Sequence, residues 1–167
     1  MHTVNVAGAI AYLPDGTPLA QNALKKLVAD RRPCYRMNDT GMVYDVRKAQ
    51  QIVRKEPRDY VYLPVRNHPQ DTTLDLSNVL ATDHNKPGII FFVFNALGNP
   101  EYQLMDGNHR VERCRYYGIP IFRAFPLDPD EAKACEWFVL ADQPCPPQRY
   151  RWFDQDGSED YAARRRL

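Results

Sequence analysis

Chemistry concentrates in one short run of this chain, Asp106-Gly107-Asn108-His109-Arg110, five polar residues that follow the apolar Leu104 and Met105. A strand that ends in Asp-Gly and opens directly into a helix leaves several backbone N–H groups unpaired and aimed at one spot, and the helix dipole adds positive potential there. Such a corner suits an anion, above all a phosphate. Gly107 lets the backbone turn tightly and a phosphate approach, while His109 and Arg110 supply a switchable and a permanent cation in the first turn. Asp106, at the strand end, has the chemistry to hold Mg²⁺ through water or to act as a base toward a hydroxyl. The plainer reading makes Asp106 a helix cap and His109 and Arg110 solvated surface, but a cap needs only one polar residue.

The elements that must position this run are legible on both sides of it. Pro87 and Gly88 introduce a strand over 89–94, Gly98, Asn99 and Pro100 make a turn, and 102–105 returns as the hairpin partner. The helix beginning near Asn108 runs to Tyr117 and stops at Gly118, with Pro120 just beyond and a strand over 119–125. Upstream, 60–65 is rich in β-formers, and a helix is expected over 45–55, where Val46, Ala49 and Val53 share a face, Asp45 caps and Pro57 stops it. Its basic residues then point outward. The opening stretch 4–12 reads as extended, followed by a helix that Thr17 caps and Pro18 begins. The stretch 74–81 suits either a strand or one short helical turn. Asp128, Pro129 and Glu131 form a capping box that starts a helix expected to reach Ala141. Pro144, Pro146 and Pro147 end regular structure. The expected organisation is an N-terminal extension (1–59) with one strand and two helices, an α/β core (60–141) with a small mixed sheet flanked by helices, and a C-terminal Pro/Arg/aromatic arm (142–167).

Composition narrows the classes. Twenty-two Lys and Arg face twenty-one Asp and Glu, a formal charge of +1, so any anion site must be local rather than a property of the whole molecule. Cys34, Cys114, Cys135 and Cys145 are scattered without a C-x-x-C pair, which argues against a zinc cluster and against a dithiol motif. Cys114 and Cys135 read as small core residues. The longest apolar run, 88–94, is far short of a bilayer span and the N-terminus lacks a signal-peptide pattern, so a cytoplasmic protein without a membrane partner is expected. His68, His84, Asp71 and Asp83 sit in polar loops, where they have the chemistry to join a metal or base role but more often are simply solvated. The tail residues Arg149, Tyr150, Arg151, Trp152 and Phe153 have the composition to stack on single-stranded nucleic acid, although such a run more often folds back on its own domain.

The stretch Lys86-Pro-Gly-Ile-Ile, then Glu101-Tyr-Gln-Leu-Met-Asp-Gly-Asn-His-Arg-Val-Glu-Arg-Cys, then Tyr117-Gly-Ile-Pro resembles the ParB and sulfiredoxin superfamily. That family's hallmark is Gly-x-His-Arg or Gly-Glu-Arg-Arg between a strand and a helix, and the resemblance spans roughly 60–140. It implies nucleotide-phosphate binding by Gly107, Asn108, His109, Arg110 and Glu112, with Asp106, His109 and Arg110 as the catalytic candidates and Asp106 as the Mg²⁺ ligand. ATP or CTP, with Mg²⁺, are the implied cofactors. Gly107, His109, Arg110 and Glu112 match the sulfiredoxin form Gly-x-His-Arg-x-Glu, but Asn108 stands where its catalytic cysteine would be, which speaks against that reaction. Asn108 and His109 also stand where partition proteins have Glu and Arg, and no helix-turn-helix domain follows, which speaks against a segregation clamp.

The resemblance therefore implies the kinase-like or nuclease-like branch: phosphoryl transfer or phosphodiester hydrolysis by positioning and charge neutralisation, as an NTPase, nuclease or small-molecule kinase. The alternative is a non-catalytic nucleotide- or protein-binding regulator of plasmid or phage type. A nucleotide is the expected ligand in either case, with DNA or a protein as a further partner.

Overall fold

The computed structural model describes residues 6–37, 40–70, 72, 74–83, 85–94 and 97–141. Short apolar stretches between turn residues build two sheets. The first contains β1 (Ile10–Tyr12), β2 (Pro18–Leu19), β3 (Cys34–Arg36), β4 (Met42–Asp45) and β9 (Glu136–Ala141), in the order β2-β1-β9-β4-β3 and antiparallel throughout. The second contains β5 (Val61–Pro64), β6 (Gly88–Phe94), β7 (Pro100–Asp106) and β8 (Ile121–Pro126), in the order β5-β8-β6-β7. It is mixed, because β6 runs parallel to β8 while the other pairs are antiparallel.

The central strands carry apolar residues on both faces, so both faces of each sheet need cover. Between the sheets lie Tyr44, Ile89, Phe91, Met105 and Val139, closed at the side by Val46 and Ala49 of α2 (Val46–Lys55) and Ala132 of α5 (Pro129–Ala134). The rings of Tyr44 and Phe91, one from each sheet, meet with centroids 4.8 Å apart. On the outside of the first sheet, Leu24 of α1 (Gln21–Leu27) packs with Val43, Phe138 and Leu140. On the outside of the second, Val111 and Cys114 of α4 (Asn108–Tyr116) pack with Ile90, Leu104 and Phe122. The short α3 (Leu76–Ala81) is tied to α4 by Arg113, which donates to the Leu80 carbonyl. The architecture is mixed α/β.

Several expectations hold locally. Asp45 caps α2 by accepting from the Lys48 N–H, and Asp128 and Glu131 form the expected capping box on α5. Gly118, at φ 69°, follows the C-terminus of α4. Residues 76–81 take the helical alternative, with Asp75 accepting from Ser77.

Others need correction. The helix expected to reach Ala141 stops at Ala134, and 136–141 becomes β9, because Phe138 and Leu140 cover α1 while Val139 enters the core between the sheets. Period two thus replaces period three and a half at the point where both faces acquire partners. Thr17 does not cap α1: Pro18 and Leu19 pair with Tyr12 and Ala11 instead, and the helix begins at Gln21. The strands β3 and β4 were not foreseen at all, although all four residues of β4 are buried. β9 lies between β1 and β4, so residues 136–141 complete a sheet otherwise made from residues 10–45. Among the described residues no helix is long and apolar enough to cross a membrane. The expected C-terminal arm, with Cys145 and the aromatic and arginine run 149–153, and also His84 and Asp71, lie outside the described residues.

Candidate functional site

The corner at the end of β7 is shaped by a slip in the hairpin register. Ile90 pairs with Leu104, but Ile89 pairs with Asp106, so Met105 is an additional residue on β7. Such an insertion re-aims the residue that follows it. Asp106 comes opposite Ile89, which faces the core between the sheets, rather than alternating onto the α4 side with Leu104. There it meets α2: Gln50 Nε2 donates to Asp106 Oδ2 at 3.0 Å. Arg110 reaches back from the first turn of α4, its Nη2 3.2 Å from the same oxygen.

Gly107 turns the chain with φ 116°, a conformation L side chains rarely adopt, and a side chain there would be crowded. A Cβ there would stand 3.1 Å from Gly88 Cα and 3.3 Å from Arg110 Nη2. The Arg110 guanidinium therefore lies against the Gly107 backbone. Its Nε and Nη2 are buried without a hydrogen-bond acceptor, since the contact with Asp106 is close in distance but not aligned as a hydrogen bond. Val111 N–H donates to the Gly107 carbonyl and closes the first turn of α4, whose earlier N–H groups have no carbonyl to bond within the helix. Gly107 offers no side-chain cap and the first turn holds no acidic residue. The helix expected to open after Asp-Gly does begin there, and its first turn carries no carboxylate against the helix dipole.

The other half of the expected set lies on a different flank of α4. Asn108 Oδ1 is 3.2 Å from His68 Nε2, the ring nitrogen donating to the amide oxygen. Arg115 Nη2 donates to the His68 carbonyl at 2.7 Å, and its Nε lies 3.2 Å from Glu112 Oε2. Glu112 is buried. The His68 ring stacks on Tyr102 at 6.2 Å, and the Tyr102 hydroxyl is buried without a hydrogen-bond partner. Burial raises that hydroxyl above the usual tyrosine range, against the opposing charge of Arg115. A cavity of about 370 Å³ opens beside Glu112, Arg115 and Tyr116, with Gln70 and Leu76 across from them.

The fold therefore brings Asp106, Gly107 and Arg110 together and separates Asn108 and Glu112 from them across the helix. His109 is half-buried in the first turn. His68, read as a solvated loop residue, is a structural partner of Asn108; Asp83 remains an exposed turn residue that accepts from Asn85 N–H. Sequence reasoning missed Gln50, whose only signal was a polar residue next to the core positions Ala49 and Val53 on α2. It also missed Arg115, which sits seven residues after Asn108 on the same flank.

Cys34, Cys114 and Cys135 form no disulfide and are buried, Cys114 and Cys135 as the core residues expected. Burial raises the Cys114 thiol above its ordinary range and pushes Cys135 up to about 12. Among the described residues no three His, Cys, Asp or Glu side chains converge as a metal site would require. Comparison of the chain with protein-family models, with curated proteins and with solved structures gives no match in any of the three.

Proposed function

We propose that this chain binds a nucleotide through its phosphates at the start of α4 and promotes phosphoryl transfer or phosphodiester hydrolysis there, in the cytoplasm. One observation carries the reading: Arg110 lies against Gly107 at an uncapped helix start, with Nε and Nη2 buried and without an aligned hydrogen-bond acceptor, Asp106 Oδ2 standing 3.2 Å from Nη2 as an ion-pair partner only. Buried guanidinium donors are costly unless an anion takes them. A phosphate at the α4 start would accept from Arg110 and from backbone N–H groups of the first turn together. The resemblance of Asp106-Gly107-Asn108-His109-Arg110 to the ParB and sulfiredoxin corner supports a nucleotide rather than another anion.

Mg²⁺ fits this corner as an ion carried in by phosphates, for which one protein carboxylate suffices. Asp106 would hold it. Its contacts with Gln50 and with Arg110 both fall on Oδ2, which leaves Oδ1 outside those two contacts. When bound, the ion would neutralise charge on the transferring group.

The non-catalytic reading has its own observation: the Asp106 carboxylate is already satisfied by Gln50 and Arg110, as a purely structural carboxylate would be. Titration of ATP and CTP into the purified chain, with and without Mg²⁺, tests the site, with His109→Ala/Arg110→Ala as the control. Loss of affinity in the double variant supports the assignment, and unchanged affinity rules it out. Hydrolysis by the wild type under single-turnover conditions separates the enzyme from the binding module.

A further inference from the structure

The α2 helix carries Arg47, Lys48, Arg54 and Lys55 and not one acidic residue. Its apolar side is spent inside the molecule: Val46 and Ala49 are buried, and Ile52 and Val53 pack on the core between the sheets. On a helix, residues three before and four after a given position are its neighbours along one flank. Arg47 and Arg54 therefore flank Gln50, and Gln50 is the residue whose amide reaches Asp106. Gln50 marks the flank of α2 that meets the corner, Arg47 and Arg54 stand in a row with it about one turn to either side along the helix, and Arg110 lies on the other side of Asp106. Among the described residues Arg47 has Asp30 alone in ion-pair range, at 4.0 Å and in solvent. Among the described residues Lys48, Arg54 and Lys55 have no carboxylate in ion-pair range.

We propose that this row is a track for the phosphodiester backbone of a nucleic acid, which passes along α2 and presents one of its phosphates to the α4 start. The inference rests on the phosphate reading of that corner and extends it from one phosphate to several. Arg47 and Arg54 are about 10 Å apart along the helix axis, since each residue rises about 1.5 Å. One nucleic-acid strand offers a charge about every 3.4 Å of its axis, enough for each arginine and for α4. A nucleoside triphosphate gathers its charge into one short chain at α4, whereas a strand spreads its charge along the row.

The exposed side of α2 consists of Arg47, Lys48, Gln51, Arg54 and Lys55, with no apolar or aromatic side chain. A protein partner would need an apolar centre to its interface, and a membrane surface would need an apolar face to bury; neither is offered. Without aromatic side chains to stack on bases, contact is to the backbone and independent of sequence.

The test is fluorescence anisotropy of labelled oligonucleotides of mixed sequence, single- and double-stranded, with the full chain between about 50 and 200 mM salt. Arg47→Gln/Arg54→Gln should weaken binding about tenfold or more at low salt and reduce the slope of log affinity against log salt by about two. The same variant should leave ATP and CTP affinity within about twofold, because a nucleotide held at the α4 start takes its contacts from Arg110 and the helix start rather than from the row along α2. Lys25→Gln/Lys26→Gln, an equal charge change on exposed residues of α1, should alter neither.

Absence of oligonucleotide binding at low salt, with mononucleotide still bound, overturns this inference and leaves the phosphate reading standing. So does an unchanged salt slope in the α2 variant, or equal damage from the α1 control. Polyglutamate competing as well as DNA would assign the track to an acidic protein instead. Oligonucleotide binding that needs Arg47 and Arg54 but not Arg110, with no mononucleotide bound, overturns the reading of the α4 corner and with it the link to α2.

Discussion

Gln50 on α2 donates its amide to Asp106 at the end of β7, 3.0 Å away and 56 residues on in the chain. The contact joins the N-terminal half of the molecule to the corner where the polar run begins. It is made possible by the additional residue Met105, which turns Asp106 toward α2. A double-mutant cycle of Gln50→Leu and Asp106→Asn in urea denaturation should show a coupling of about 1 kcal/mol, the net worth of one such hydrogen bond. Additive effects of the two substitutions would mean that the contact does not form.

Gly107→Ala should be far more damaging than an alanine elsewhere at a helix start. The residue has φ 116°, and the new Cβ would press on Gly88 Cα at 3.1 Å. Backbone strain of this kind costs about 1–3 kcal/mol, or roughly 2–12 °C in Tm for a chain this size. A melting curve within a degree of wild type would contradict the described turn.

The hairpin of β6 and β7, the helix α4 and the glycine that follows it were legible because each rests on local rules: turn residues, a break after Met105, and a left-handed stop at Gly118. The capping box of α5 was legible for the same reason. What was hidden depended on distant partners. Glu136 to Ala141 has the composition of a buried helix or a buried strand, and only the neighbours β1 and β4 decide between them. The polar run was read as one site, yet 3.6 residues per turn place Asn108 and Glu112 on the flank facing His68 and leave Arg110 facing Asp106. No motif marked Gln50, since its role exists only once β7 slips its register.

Arg58 grips Glu131 with two parallel bonds, 2.8 and 2.9 Å, and fastens the 57–60 segment to α5. Burial alone would raise the Glu131 carboxyl, but the Arg58 guanidinium and the Asp128 N–H outweigh it and hold it below the usual range. A carboxylate depressed in the folded state stabilises above its unfolded pKa and loses that contribution as pH falls through the folded value. Glu131→Gln should therefore cost about 1–2 kcal/mol near neutral pH and nearly nothing once both forms are protonated in acid. Denaturation midpoints for wild type and variant should converge as pH drops, and a constant gap would show that the charge is not the cause.

Cys34, Cys114 and Cys135 should resist alkylation in the folded protein, because all three are buried and burial raises the thiols of Cys114 and Cys135. Mass mapping after iodoacetamide at pH 8 should find them modified only after unfolding. Cys114→Ala should leave nucleotide affinity and any turnover within a few fold. Rapid modification of Cys114, or loss of turnover with the fold intact, would bring thiol chemistry back into consideration.

Asp106 should matter more to turnover than to binding. Its Oδ2 sits between the Gln50 amide and the Arg110 guanidinium, so in the absence of nucleotide it shares the cation that a phosphate would use. A bare carboxylate beside phosphates repels them, and Asp106→Asn removes that repulsion while keeping the side chain's size. It also removes the carboxylate partner of Arg110, leaving the guanidinium wholly to the ligand. Nucleotide affinity without Mg²⁺ should thus stay equal or rise. Turnover should fall about a hundredfold or more, because the amide can neither take a proton from a hydroxyl nor hold a phosphate-carried ion as a carboxylate does. The measurements are affinity for ATP and CTP with and without Mg²⁺, and single-turnover hydrolysis of ATP, CTP and a DNA strand. Should wild type and Asp106→Asn bind nucleotide alike and both be inert on all three substrates, Asp106 is a structural carboxylate and the chain is a binding module.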